Sequence, residues 1–357
     1  MQIRFSESLQ RMRHPRYIAS AAVAALAIAL SLGLYAFRGV WWTRATEEAA
    51  PQASAETSGE FRHPLTGERI AEPVERPQVY GVMIDHSQDA WPQSGVEDAF
   101  LVIEAPVEAG IPRLLALFSS ETTVDKIGPV RSARPYFLDW NNELDALHVH
   151  VGGSDEALQQ ISMDGTFDLN QFWNANVFWR STDRFAPHNV YTSTALLASA
   201  VAKARAAAKA PFLVYGSWKF QDPPTLRPET GIGVMIDYFP TAYRATWKYQ
   251  STTNTYQRLQ GGLPYAMQDG AVIEASNVAV MITKIEVVDQ IGHRHIKTIG
   301  EGDAMIFRDG DLVEGKWKKP SQSERVRFYD KDNQEILWNS GQTWIEVVDS
   351  RDRVIQK

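Results

Sequence analysis

The run from Ile18 to Phe37, IASAAVAALAIALSLGLYAF, holds twenty consecutive residues without a charge. Wound as a helix it is about 30 Å long, the thickness of a bilayer's hydrocarbon core, so the rest of the chain has to be arranged around it. Arg4, Arg11, Arg13, His14 and Arg16 precede the run against a single acid, Glu7. That excess marks residues 1–17 as a cytoplasmic basic tail and residues 18–37 as a transmembrane anchor. The competing reading is a cleaved leader, whose apolar core is shorter and ends in a small-x-small site. Here the run ends in Leu34-Tyr35-Ala36-Phe37-Arg38 with Trp41 and Trp42 beyond, which suits an interfacial aromatic belt. The expectation is a single-pass signal-anchor protein of the cell membrane, N-terminus cytoplasmic and the remainder extracytoplasmic. Residues 38–60, rich in Ala, Glu and Ser, bury nothing that offsets the cost of ordering and read as a flexible tether.

The chain has 357 residues and a formal net charge of -7, which argues against nucleic acid as a partner. It contains no cysteine, so disulfides, thiolate metal sites, a cysteine nucleophile and a lipid carried on cysteine are all closed to it. The folded part is expected to rest on packing.

Past the tether, Val79 to Asp85 (VYGVMID), AFLVIE ending at Glu104, Arg113 to Ser119 (RLLALFS) and Ala146 to Val151 (ALHVHV) are apolar runs of strand length. They are nearly continuous, as strands covered on both faces are. Ser154 is placed to cap a helix over DEALQQI, and Ser193 or Thr194 to cap TALLASAVAKARAAAK before Pro211. Residues 61–211 therefore read as an α/β domain on a mixed sheet. From residue 212 to 357, β-rich runs recur between Gly, Asn and Asp turns, with Asp309-Gly310 and Lys331-Asp332-Asn333 as hairpin turns, and a mainly antiparallel β domain is expected. The pentapeptide GVMID occurs at Gly81 to Asp85 and again at Gly233 to Asp237, too short a match to establish a repeat.

Chemistry concentrates in two stretches. In EAPVEAGIPRLLALFSSETTVDKIGPVRSARPYF, Glu104 and Glu108 follow a strand, while Arg113, Arg131, Ser132 and Arg134 supply guanidinium forks and a hydroxyl suited to phosphate or carboxylate. Open α/β sheets bind ligands at such strand ends. The plainer reading is that the arginines pair with Glu104, Glu108 and Asp139. In VFWRSTDRFAPHNVYTS, His188 is placed as a base or ligand, with Asn189, Ser193, Arg180 and Arg184 around it, or as a hydrogen-bonded loop residue. Asp85, at the end of the first strand, is the best single carboxylate for a ligand, though it also suits a turn cap. His148 and His150 share a strand face, a pattern that suits packing better than metal. Trp317 and Trp344 read first as packing and second as a glycan-stacking surface. Nucleotide, nucleophile-elbow and calcium motifs are absent from the sequence, and no cofactor is expected.

At RPQVYGVMID, WPQSGVEDAFLVIEAPVEAGIPRLLALF, KIGPVRSARPYFLDW, HVGGSDEAL, PHNVYTS, NVAVMIT, GEGDAMIFRDGDLVEGKWKK and SGQTWIEVV the chain resembles the YerB-like family of bacterial envelope proteins. The resemblance implies two adjoining domains of unknown function outside the cytoplasm, and it implies that Asp85, Glu104, Glu108, Arg113, Arg131, Ser132, Arg134, Gly152, Gly153, His188, Asn189 and Ser193 share one pocket. Many relatives are lipoproteins anchored through a cysteine, which this sequence lacks. Three functions stay open: binding of an anionic cell-wall or glycan ligand or an envelope protein partner through the arginines; a cell-wall or phosphorylated-glycan enzyme using Glu104 or Glu108 as acid or base; and a structural partner in an envelope assembly.

Overall fold

The computed structural model describes residues 61–357, so the expected tail, span and tether lie outside the described residues. Among the described residues no helix is long and apolar enough to cross a membrane.

The apolar runs of the first half form strands where the sequence places them. These are β1 (Val79–Ile84), β2 (Leu101–Pro106), β3 (Pro112–Ser119) and β4 (Leu147–His150), with β5 (Asp168–Asn170) beside β4. Three helices accompany them: α1 (Pro135–Asn142), α2 (Asp155–Asp164) and α3 (Thr194–Ala206). Both expected caps are made. Ser154 Oγ accepts the Ala157 amide and Ser193 Oγ the Leu196 amide, each at 3.3 Å, satisfying one orphan N–H at each helix start. Helix α1 is an addition that the sequence pattern hid. It has eight residues, begins with Pro135, and buries Tyr136, Phe137, Leu138 and Trp140, so no polar stripe marks it.

The second half supplies β6 (Val234–Ile236), β7 (Ala245–Gln250), β8 (Thr255–Gln260), β9 (Asn277–Ile282), β10 (Gly300–Arg308), β11 (Asp311–Lys319), β12 (Arg327–Asp330), β13 (Thr343–Val348) and β14 (Val354–Gln356). Its pairings are mainly antiparallel. Asp309 and Gly310, at φ 57° and 79°, close the two-residue turn between β10 and β11, as the type I′ geometry of such turns requires. Yet β9 pairs in parallel with β13, and β13 in parallel with β2. Strands from both sides of residue 211 thus share one ten-stranded sheet in the order β12-β11-β10-β9-β13-β2-β3-β1-β4-β5. Because β3 runs antiparallel between β2 and β1, the strands β9, β13, β2, β1, β4 and β5 all point the same way. Their carboxyl ends form one edge.

Both faces of this sheet are covered, which is why its strands are almost wholly apolar. One face packs Tyr80, Val82, Val102, Ala116 and Trp344 against α3 and a second sheet built on β8-β7-β6-β14. The other packs Met83, Ile103, Leu115 and Trp317 against the α1 aromatics and the stacked pair Trp218 and Trp338. Trp317 and Trp344 are fully buried, so they pack the core rather than form a glycan surface.

Candidate functional site

Asp85 follows the last residue of β1 at the carboxyl edge and is almost entirely buried. Its amide is held by the Pro129 carbonyl at 2.8 Å, and the Arg131 amide bonds the Met83 carbonyl at 2.8 Å. The segment after Gly128-Pro129 therefore runs along the end of β1, bridging Ile84 to Val130 and bringing Arg131 onto Asp85. Arg131 Nε lies 2.9 Å from Asp85 Oδ2, off the line of a hydrogen bond. Asp85 Oδ2 also accepts from His188 Nδ1 at 2.7 Å, and Oδ1 accepts from the Ser87 amide and hydroxyl at 3.0 and 2.9 Å. Burial pushes the Asp85 carboxyl up, but Arg131, the Ser87 amide, Arg113 and His188 outweigh it and hold the group below the usual carboxylate range.

Arg113, at the start of the antiparallel β3, points into the same edge, and its Nη1 donates to the Ser132 carbonyl at 2.8 Å. Its burial, then the Arg134 charge, lower its pKa to about 10, against the pull of Asp85 and Glu108. Arg134 grips Glu108 with a two-pronged fork, Nε to Oε1 at 2.6 Å and Nη2 to Oε2 at 2.8 Å. Burial alone would raise the Glu108 carboxyl, but the Arg134 hydrogen bonds and charge bring it below its ordinary value. Within this cluster three arginines face two carboxylates, so it carries an excess positive charge.

The remaining sequence candidates divide sharply. His188 gives Nδ1 to the acceptor Asp85, which leaves Nε2 toward solvent, 3.9 Å from Asp89 Oδ2. Ser87 Oγ lies 3.1 Å from Nδ1, on the wrong nitrogen for a serine nucleophile relayed through Nε2. Arg180 and Asn189 are spent on each other at 2.8 Å, and Arg184 donates to the carbonyls of Pro92 and Asp89. Ser193 caps α3, and Ser132 contributes its carbonyl. His148 and His150 lie tilted against each other with ring centres 5.2 Å apart inside the core, where His150 bonds the Gly152 carbonyl at 2.7 Å.

Glu104 does not join the edge. Parallel pairing of β2 with β13 sets it beside Glu346, and both side chains are fully buried between the two sheets. Arg258 of β8 enters between them, with Nη1 2.6 Å from Glu104 Oε2 and 3.2 Å from Glu346 Oε1, and Nη2 3.2 Å from Glu104 Oε1. Trp344 Nε1 donates to Glu104 at 3.1 Å, and Trp247 Nε1 to Glu346 at 2.8 Å. This is a desolvated ion network of the core.

Farther along the same edge, a cleft of about 380 Å³ opens where β2 and β13 meet the second sheet. It is lined by Ala109, Asp237, Phe239, Arg294, Asp349 and Arg353 among others, and Arg131 is not one of them. Sequence reasoning passed over the aromatics beside the Arg131 cluster, Phe172, Trp173 and Phe185, because exposed apolar residues carry the same letters as core ones.

Residues 65–207 match a family model described as the N-terminal domain of a protein of unknown function, DUF3048, and residues 234–345 match the model of its C-terminal domain. The chain is 29% identical over 315 residues to YerB of Bacillus subtilis (strain 168), whose name describes a candidate lipoprotein; the match covers 84% of this chain and 90% of that protein. It is also similar to the crystal structure of YerB protein from Bacillus subtilis, with a TM-score of 0.74 and 27% identity over 83% of this chain and 99% of the solved one. The lipoprotein name overturns the expectation of a transmembrane helix at residues 18–37, used as a signal-anchor with a cytoplasmic N-terminus. A basic tail ahead of an apolar run is the pattern of a leader as well as of a span, so that pattern alone did not separate the two.

Proposed function

We propose, from the premise that this chain belongs to the DUF3048 family of YerB-like proteins, that it is a membrane-associated extracytoplasmic protein holding an anionic group of an envelope component at Arg131. The observation that carries this reading is the state of the Arg131 guanidinium. It is anchored on its Nε side by Asp85, its side chain is 26% exposed, and its terminal nitrogens have no hydrogen-bond partner among the described residues. A fork held at one end and open at the other fits a phosphate or carboxylate with two parallel bonds, at the strand ends where open sheets take ligands. Arg113 adds charge behind it.

The acid–base reading through Glu104 and Glu108 has less support. A catalytic carboxyl must reach the substrate, whereas Glu104 is enclosed with Arg258 and Glu108 is gripped by Arg134. His188 supports a narrower enzymatic reading, since Asp85 orients the ring and leaves Nε2 for a proton.

Calorimetric titration of the full chain with inorganic phosphate and with solubilised cell-wall fragments tests the binding reading. Arg131→Ala is expected to weaken both by about 10- to 100-fold, the worth of a charge-assisted pair. Arg184→Ala, whose guanidinium is spent on backbone carbonyls, should bind as the parent does. Equal affinity of Arg131→Ala and the parent would sink the proposal.

A further inference from the structure

We infer that the ligand at Arg131 is an acidic sugar polymer whose rings stack on Trp173, Phe172 and Phe185; this rests on the anion-binding reading of Arg131. Trp173 is 85% exposed, Phe185 92% and Phe172 64%. Large aromatics left this open to water mark an interaction surface. They flank the Arg131 cluster on two loops that touch it.

Phe172 and Trp173 follow β5, next to the end of β4. The Phe172 ring lies over Gly152 so closely that a Cβ on that glycine would come within 2.8 Å of it, and Gly152 adopts φ 62°. The Gly152 carbonyl takes the Ala133 amide at 3.0 Å, and the Val151 amide bonds the Arg131 carbonyl at 3.0 Å. Gly152, which the ring covers, is therefore one strand spacing, about 4.8 Å, from the chain that carries Arg131. On the other side, the Phe185 carbonyl accepts the His188 amide at 3.0 Å, and His188 is bound to Asp85.

The first loop is pinned rather than loose. Asn170 Oδ1 accepts the amides of both Gly152 and Phe172, and its carbonyl accepts the Trp173 amide and the Asn174 side chain. Such a loop has its backbone already ordered, which lowers the cost of binding. Flat aromatic faces match the apolar C–H faces of sugar rings while the hydroxyls stay in water.

An acidic polymer and an anionic bilayer present the same charge to Arg131, and the vesicle probe below separates them.

The test uses the full chain and the variants Trp173→Ala and Arg131→Ala with three probes: solubilised cell-wall glycan strands bearing acidic groups, inorganic phosphate, and vesicles containing anionic lipid. Trp173→Ala is expected to weaken the glycan about tenfold while leaving phosphate affinity unchanged, and Arg131→Ala to weaken both. Glycan binding unaffected by Trp173→Ala, or phosphate binding without any glycan binding, overturns this inference and leaves the Arg131 reading standing. Vesicle binding that Trp173→Ala abolishes overturns it in favour of a lipid surface. Loss of both probes' sensitivity to Arg131→Ala removes the two together.

Discussion

Replacing Arg258 with methionine is expected to lower the unfolding free energy by about 3–5 kcal/mol, the cost of leaving a buried charge uncompensated. Arg258 is the cation that Glu104 and Glu346 share inside the core, and it also lies over the Trp344 ring with its guanidinium carbon 4.6 Å from the centroid. Burial, and then Glu104, hold the Glu346 carboxyl above its ordinary range, even with the arginine present. The native state therefore keeps a proton that the unfolded chain has released, and this contribution fades as the pH rises from the usual carboxylate range through the raised value. Without the opposing charge of Arg258 the Glu346 carboxyl should be held still higher, so the loss in the variant should be larger at pH 8 than at pH 5. Urea denaturation at the two pH values measures this, with a lower midpoint and an unchanged slope as the signature. Adding Glu104→Gln and Glu346→Gln to Arg258→Met should recover most of the loss, since removing every charge removes the desolvation penalty as well. A variant as stable as the parent at pH 8 would mean that these carboxylates do not depend on Arg258.

This network also shows where sequence reasoning stops. The strands β1 to β4 were legible because a doubly covered strand is a continuous apolar run, and the capped helices because Ser154 and Ser193 sit ahead of good helix formers. Glu104 was legible as a carboxylate in an unusual place, at the end of such a run. Its fate was not, because that depends on β13 pairing with β2 and on β8 crossing above them, contacts between segments far apart in the chain. Asp85, Arg131 and His188 were each singled out, and the structure supplies their pairing through the irregular segment at the end of β1, which no periodicity announces. Arg180, Asn189 and Arg184 share the composition of a site, yet hold a loop together. Residue type points to possible chemistry; vacancy of the polar atoms decides which residues retain it.

His86 extends that reasoning to a residue that no function uses. Its ring is fully buried beside the Arg258 network, with Nε2 3.6 Å from Glu104 Oε1. Nδ1 faces three donors: Gln93 Nε2 at 2.9 Å, the Tyr265 hydroxyl at 3.0 Å and Trp91 Nε1 at 3.3 Å. These fix Nδ1 as the acceptor, and a proton placed there would turn all three contacts repulsive or empty. Burial first, with Arg258 adding to it, depresses the His86 pKa from 6.5 to about 4 despite the opposing pull of Glu104 and Asp85. The unfolded chain thus binds a proton that the native state refuses, and stability present above pH 6.5 is lost as the pH falls toward 4. Over that window the loss from this one residue is about 3 kcal/mol. Asp85 and Glu108, held below the usual carboxylate range, surrender their share only at lower pH, so the windows separate. Glu346, held above its ordinary range, contributes with the opposite sign over the same window, so the two proteins are compared at pH 7, 5.5 and 4: relative to the parent, His86→Gln, whose amide does not titrate, should gain stability as the pH falls. The comparison is of slopes, because the substitution also changes packing. Parallel slopes would show that the acid sensitivity resides elsewhere, and that the three donors do not hold His86 neutral.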